Sequence, residues 1–138
     1  MYKCVYFSIT ELVHPQILKQ IGSENSWLRL NSGCLQDLDT IRREWGGEVI
    51  INSGVNDSRG LRPPNDPDGS YYSTHKQGTT FDLVPKNGEH FKFYHFIKKL
   101  IIEKDIKHFN TMEHIKYTSS WVHVAKMNHS QDVLIIKP

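Results

Sequence analysis

Ser73-Thr74-His75-Lys76-Gln77-Gly78-Thr79-Thr80-Phe81-Asp82, read with Trp121-Val122-His123-Val124, is the part of the chain on which fold and chemistry turn. His75 and Asp82 stand seven positions apart, and a fully extended run of that length would hold them more than about 20 Å from each other. Gly78 lets the backbone turn tightly between them, so that both side chains can converge on one ion. Thr79 to Val84 reads as a strand. Its period-two alternation sets Thr80, Asp82 and Val84 on one face, with Phe81 and Leu83 on the other. Trp121 to Lys126 reads as a second strand, in which His123 shares a face with Trp121 and Ala125 while Val122 and Val124 fill the core. If the two strands pair, Asp82 and His123 can face one another.

Two imidazole nitrogens and a carboxylate oxygen suit zinc, with ligand distances of about 2.0–2.2 Å, so His75, Asp82 and His123 are the candidate metal ligands. Three protein ligands leave a fourth position for water. Such an open position separates catalytic from structural zinc, because the ion lowers the water's pKa towards ~7 and polarises a carbonyl. The chemistry implied is amide hydrolysis. The other histidines read as ordinary polar residues: His14 precedes a proline, His90 and His95 lie on a helix, and His129 is in a polar turn. His108 and His114 have no evident place.

Working outward, Ser8-Ile9-Thr10-Glu11 reads as a capping box that starts a short first helix. Leu35, Leu38, Ile41 and Trp45 recur at spacings of three and four, the stripe of a core-facing helix that Gly46-Gly47 ends. Glu48 to Asn52 has the β-branched enrichment of a strand. Val55 to Tyr72 is rich in Gly, Pro, Asn, Asp and Ser and reads as a long loop, a feature commonly functional. Phe93, Phe96, Ile97 and Leu100 mark the buried stripe of a helix from about Gly88 to Glu103, with lysines outward. Val133 to Lys137 is a last strand, after the polar Asn128-His129-Ser130-Gln131 turn. The expected fold is α+β: a small antiparallel sheet with helices packed on one face and a zinc site on the other.

The 138 residues form one expected domain, 1–138, with no repeat or dividing linker. Hydrophobic content of 38% and charged content of 23% are those of an ordinary globular chain rather than a disordered or fibrous one. A formal charge of +2 without a basic stripe argues against a nucleic-acid partner. Cys4 and Cys34 lie far apart without C-x-x-C spacing and read as reduced thiols. No apolar run has the length of a membrane span, and the amino terminus lacks a signal-peptide core, so a monomer that is cytoplasmic as synthesised is expected.

The pattern S-x-H-x-x-G-x-x-x-D, followed later by W-V-H, resembles the signature of the zinc D-alanyl-D-alanine carboxypeptidase and phage endolysin family, whose fold the hedgehog signalling domain shares. Tyr6-Phe7-Ser8-Ile9-Thr10-Glu11-Leu12 is similar to the start of its compact phage and bacterial members, so the likeness spans nearly the whole chain. The resemblance implies zinc on His75, Asp82 and His123, and a peptidoglycan peptide as substrate. It also implies a loop arginine that holds the substrate carboxylate: Arg62, in Arg59-Gly60-Leu61-Arg62-Pro63, matches that G-x-R pattern, while Ser53-Gly54-Val55-Asn56 is a rival alignment without the arginine. A guanidinium suits the role because its planar fork meets a carboxylate with two charge-assisted hydrogen bonds. Ser73, in the motif, is a further candidate for substrate binding.

The chain departs from the family pattern in three places. Thr80 stands where alanine is usual, and neither familiar position of the catalytic acid is filled, since Ser120 lies three residues before His123 and Ala125 two after it. Glu113 is the nearest upstream carboxylate and the candidate general base, brought to the metal by a loop between Lys116 and Ser120, with His114 as a substitute. Two functions are open: a zinc peptidase or carboxypeptidase that degrades cell wall in the manner of an endolysin, released to the wall at phage lysis, or a catalytically silent zinc-binding module such as a phage structural component. The scissile bond stays open too.

Overall fold

The computed structural model describes residues 1–52, 60–65 and 74–138. Most of the expected long loop, together with Ser73 and Arg59, lies outside the described residues.

Four helices and five strands follow one another along the chain. Helix α1 covers Ile9–Leu12, α2 Pro15–Arg29 and α3 Ser32–Trp45; strand β1 covers Val49–Ile51 and β2 Thr80–Pro85. Helix α4 is His90–Ile102, and β3 (Thr111–Glu113), β4 (Val122–Ala125) and β5 (Leu134–Ile136) complete the sheet. The first three helices begin where a side chain answers a backbone amide at the helix start, whereas α4, behind Glu89, has no such side-chain cap. Glu11 accepts from the Ser8 amide at 2.8 Å, the His14 ring accepts from the Gln16 amide at 3.0 Å, and Asn31 accepts from the Cys34 amide at 3.0 Å. Gly46, in the left-handed region, ends α3 as its sequence implies.

Helix α1 is the short first helix that the capping box announces, and α2 has no counterpart in the sequence reading. Its buried residues are only Ile17, Ser26 and Trp27, and the helix breaks at Gly22, so no continuous apolar stripe announces it. Helices α3 and α4 carry their expected stripes inward: Leu35, Leu38 and Ile41 from one, Phe93, Ile97 and Leu100 from the other. Trp45 closes the seam edge-on to Phe93, with ring centroids 5.0 Å apart.

The strand order is β1-β2-β4-β3-β5. All pairings are antiparallel except β3 with β5, which is parallel. Strand β3 has no counterpart in the sequence reading, because three residues are too few to show a period, yet it separates β4 from β5. Phe81, Leu83, Met112, Val122 and Val124 are fully buried on the core face, where α4 packs against β2 and β4. Asp82 and His123 are opposed across β2 and β4 and so share the other face. No helix among the described residues is long and apolar enough to cross a membrane.

Candidate metal centre

Asp82 sits mid-strand in β2 with His123 directly across from it in β4. The His123 Nδ1 is 2.9 Å from Asp82 Oδ1. His75 arrives from outside the sheet, on a short 3₁₀ turn at Thr74–Gln77, and its Nε2 lies 3.3 Å from Asp82 Oδ2. Gly78 makes that approach possible. Its backbone takes φ +73°, and a Cβ there would run into the carbonyl oxygen of Arg29 at the end of α2. The Gly78 carbonyl in turn accepts from the Asn31 amide at 3.1 Å, so the turn carrying His75 is fixed to the α2–α3 junction.

A second clamp comes from residues 60–62. The Leu61 amide donates to the Leu12 carbonyl at 2.8 Å, the His14 amide to the Leu61 carbonyl at 2.9 Å, and the Arg62 amide to the His75 carbonyl at 3.1 Å. The Gly60 carbonyl lies 3.2 Å from His75 Nδ1. A carbonyl can only accept, so Nδ1 donates to it, and Nε2 is the ring nitrogen that faces Asp82. A backbone carbonyl is a common outer partner of a metal-binding imidazole. Gly60 was not among the expected site residues, and a backbone acceptor leaves no mark on sequence.

One donor atom from each of His75, Asp82 and His123 lies within 4.8 Å of the other two, and this group could hold a metal ion. The two ring nitrogens stand 2.9 and 3.3 Å from the two different oxygens of the Asp82 carboxylate, one on each. A neutral His75 would set an imidazole lone pair against a carboxylate oxygen across the 3.3 Å gap, and a cation between them removes that conflict. Burial raises the carboxyl pKa of Asp82, but hydrogen bonds from His123 and His75 outweigh it and hold the group well below the usual carboxylate range. Asp82 is therefore a charged, buried carboxylate.

Arg62 reaches the same carboxylate, its Nη2 3.5 Å from Asp82 Oδ2, with only 13% of its side chain exposed. Glu113 is the last residue of β3 and pairs with Ile136 of β5. The β3–β4 register pairs Thr111 with Ala125 and Met112 with Val124. Alternation along β3 sets Glu113 on the sheet face opposite buried Met112, the face that Asp82 and His123 also occupy. His114 is occupied elsewhere, its Nδ1 accepting from the Lys116 amide at 3.2 Å.

The remaining histidines serve the fold. His90 Nε2 meets the Thr118 carbonyl at 2.7 Å, and His129 Nε2 lies 3.0 Å from both Thr111 Oγ1 and the Asn110 carbonyl. His95 stacks edge-on with Phe91 and Tyr94. The His108 ring lies against Gly33, where a Cβ would collide with it. Thr80, two residues from Asp82 on the same face, is fully buried, and its hydroxyl has no hydrogen-bond partner among the described residues.

Comparison with protein-family models, with curated proteins and with solved structures gives no match to this chain.

Proposed function

We propose that the chain is a zinc-dependent peptidase or carboxypeptidase acting on peptidoglycan peptides. The observation that carries this reading is the convergence of His75, Asp82 and His123, with Arg62 beside the Asp82 carboxylate. Two nitrogens and one carboxylate favour zinc over calcium or magnesium, which prefer all-oxygen sites. When bound, zinc supplies a Lewis acid that acidifies water and polarises an amide carbonyl.

The protein's own residues have separable tasks. His75 and His123 hold the ion through different ring nitrogens, and the Gly60 carbonyl keeps the His75 ring turned to do so. Glu113 takes a proton from the attacking water and returns it to the leaving amine. Glu113 ends β3, the strand next to the one that carries His123, and strand alternation sets it on the same sheet face. Arg62 holds the substrate's carboxylate through its planar fork. The substrate class rests on the likeness of the S-x-H-x-x-G-x-x-x-D and W-V-H motifs to the family named above.

A silent zinc-binding module is the second reading, favoured by exposed Ser120 and buried Ala125 in the familiar acid positions. Zinc-reconstituted protein incubated with purified cell walls separates the two. Release of new amino termini or free alanine, abolished in His123→Ala, is the expected result. A folded, stoichiometrically metal-loaded protein that releases neither overturns the peptidase reading.

A further inference from the structure

Thr80 opens β2 as a fully buried residue, and its hydroxyl has no hydrogen-bond partner among the described residues. Thr111, on the other side of Ala125 in the same row of the sheet, differs: its hydroxyl donates to Asn110 Oδ1 at 2.9 Å and lies 3.0 Å from His129 Nε2. A buried hydroxyl without a partner is unfavourable, since it has given up water and gained nothing, and valine would fill the same space without that penalty. A lone donor of this kind calls for an acceptor. A metal ion among His75, Asp82 and His123 would create one beside it. Each Asp82 oxygen has a ring nitrogen next to it, His123 Nδ1 at 2.9 Å from Oδ1 and His75 Nε2 at 3.3 Å from Oδ2. A nitrogen that binds an ion does so through its lone pair and has no proton to give the carboxylate. The Asp82 oxygen that does not bind the ion therefore has no imidazole donor. Arg62 Nη2 stays near Oδ2, but at 3.5 Å it is farther than an ordinary N–H···O bond. Thr80 and Asp82 are two residues apart on one strand face. Their Cα atoms are thus about 6.5–7 Å apart, a gap that the two side chains span directly or through one water.

We propose that Thr80 is a positioning residue of the metal centre: its hydroxyl donates, directly or through one buried water, to the Asp82 oxygen that does not bind the ion. The proposal rests on the metal-centre reading given above and adds a residue to it. Hydrogen bonds to a ligating carboxylate fix its orientation, and their loss typically weakens metal binding ~10- to 100-fold. The same hydroxyl destabilises the fold when no ion is bound. One atom therefore pulls stability and metal affinity in opposite directions.

The test compares Thr80→Val, which keeps the shape and removes the hydroxyl, with Thr80→Ser, which keeps the hydroxyl, by calorimetric zinc titration and by thermal melts in chelator. Thr80→Val is expected to melt above wild type in chelator and to bind zinc at least about tenfold more weakly. Thr80→Ser is expected to recover most of that affinity. Thr80→Ala also lacks the hydroxyl and carries the same zinc expectation, and it serves if the valine variant does not fold by circular dichroism. Wild-type zinc affinity in a folded variant without the hydroxyl, or an equal loss in Thr80→Ser, overturns the role of the hydroxyl while leaving the metal centre intact. So does a valine variant that melts below wild type in chelator, because the hydroxyl would then have its partner without the ion. Wild-type protein that binds no zinc at all overturns the metal centre itself, a different outcome.

Discussion

Replacing Gly78 by alanine tests whether the tight turn between the first two ligands builds the metal centre. Two costs apply. The backbone at φ +73° is left-handed, which costs an L-residue about 1–2 kcal/mol. The new methyl also meets the carbonyl oxygen of Arg29, an atom held at the end of α2 that cannot rotate aside as a side chain would. Relieving that contact shifts either the turn or the helix end, and the sum is about 2–4 kcal/mol. For a chain of 138 residues this lowers Tm by about 6–15 °C. Gly88 is the control, since it has φ +78° but nothing within 4 Å of its Cβ position. Gly88→Ala should cost only the backbone term, about 1–2 kcal/mol. Thermal melts of both variants, with zinc titration of each, give the comparison. Gly78→Ala should melt below Gly88→Ala and bind zinc at least tenfold more weakly than wild type, because the shifted turn carries His75. Equal melting temperatures and unchanged zinc affinity would refute the reasoning.

Glu113→Gln should lower kcat by roughly 100- to 10,000-fold with zinc content unchanged, the range for a lost general base; retained turnover would remove Glu113 from the mechanism. His75→Ala should abolish the stabilisation that zinc gives the wild type, about 2.7 kcal/mol at a free concentration one hundred times Kd and read as a rise in Tm, and a variant still stabilised by zinc would place the metal elsewhere. Asp37 accepts from the amides of Lys107, His108 and Phe109 at 3.3, 2.7 and 2.8 Å, so Asp37→Ala should destabilise by about 3 kcal/mol in urea unfolding; a loss under about 1 kcal/mol would mean that other groups satisfy those amides. Burial pushes the Cys34 thiol up to about 12, so its contribution to stability is complete below pH ~9 and disappears as pH rises through that interval. Alkylation of Cys34 in the folded protein should accordingly be negligible at pH 8 and appear only with unfolding, and rapid labelling of the native protein would contradict this.

The metal ligands were legible because their signal is local. His75, Gly78 and Asp82 lie within one short stretch, and strand parity alone puts Asp82 opposite the face of Phe81 and Leu83. The stripes of α3 and α4 were equally readable, since helical periodicity repeats several times in each. By contrast, α2 has a broken stripe and β3 only three residues, so neither offers enough repeats to detect.

By itself, then, the sequence determined the α+β class, the two helix faces, and which three side chains were equipped to meet at one ion. Tertiary structure alone decided how they meet: which ring nitrogen of each histidine faces Asp82, that the Gly60 carbonyl lies against His75, and that Arg62 pairs with Asp82. The difference is physical. Side-chain periodicity is dictated by the backbone of each segment, whereas strand register and loop placement are set by packing between residues far apart in the chain, which no local pattern encodes.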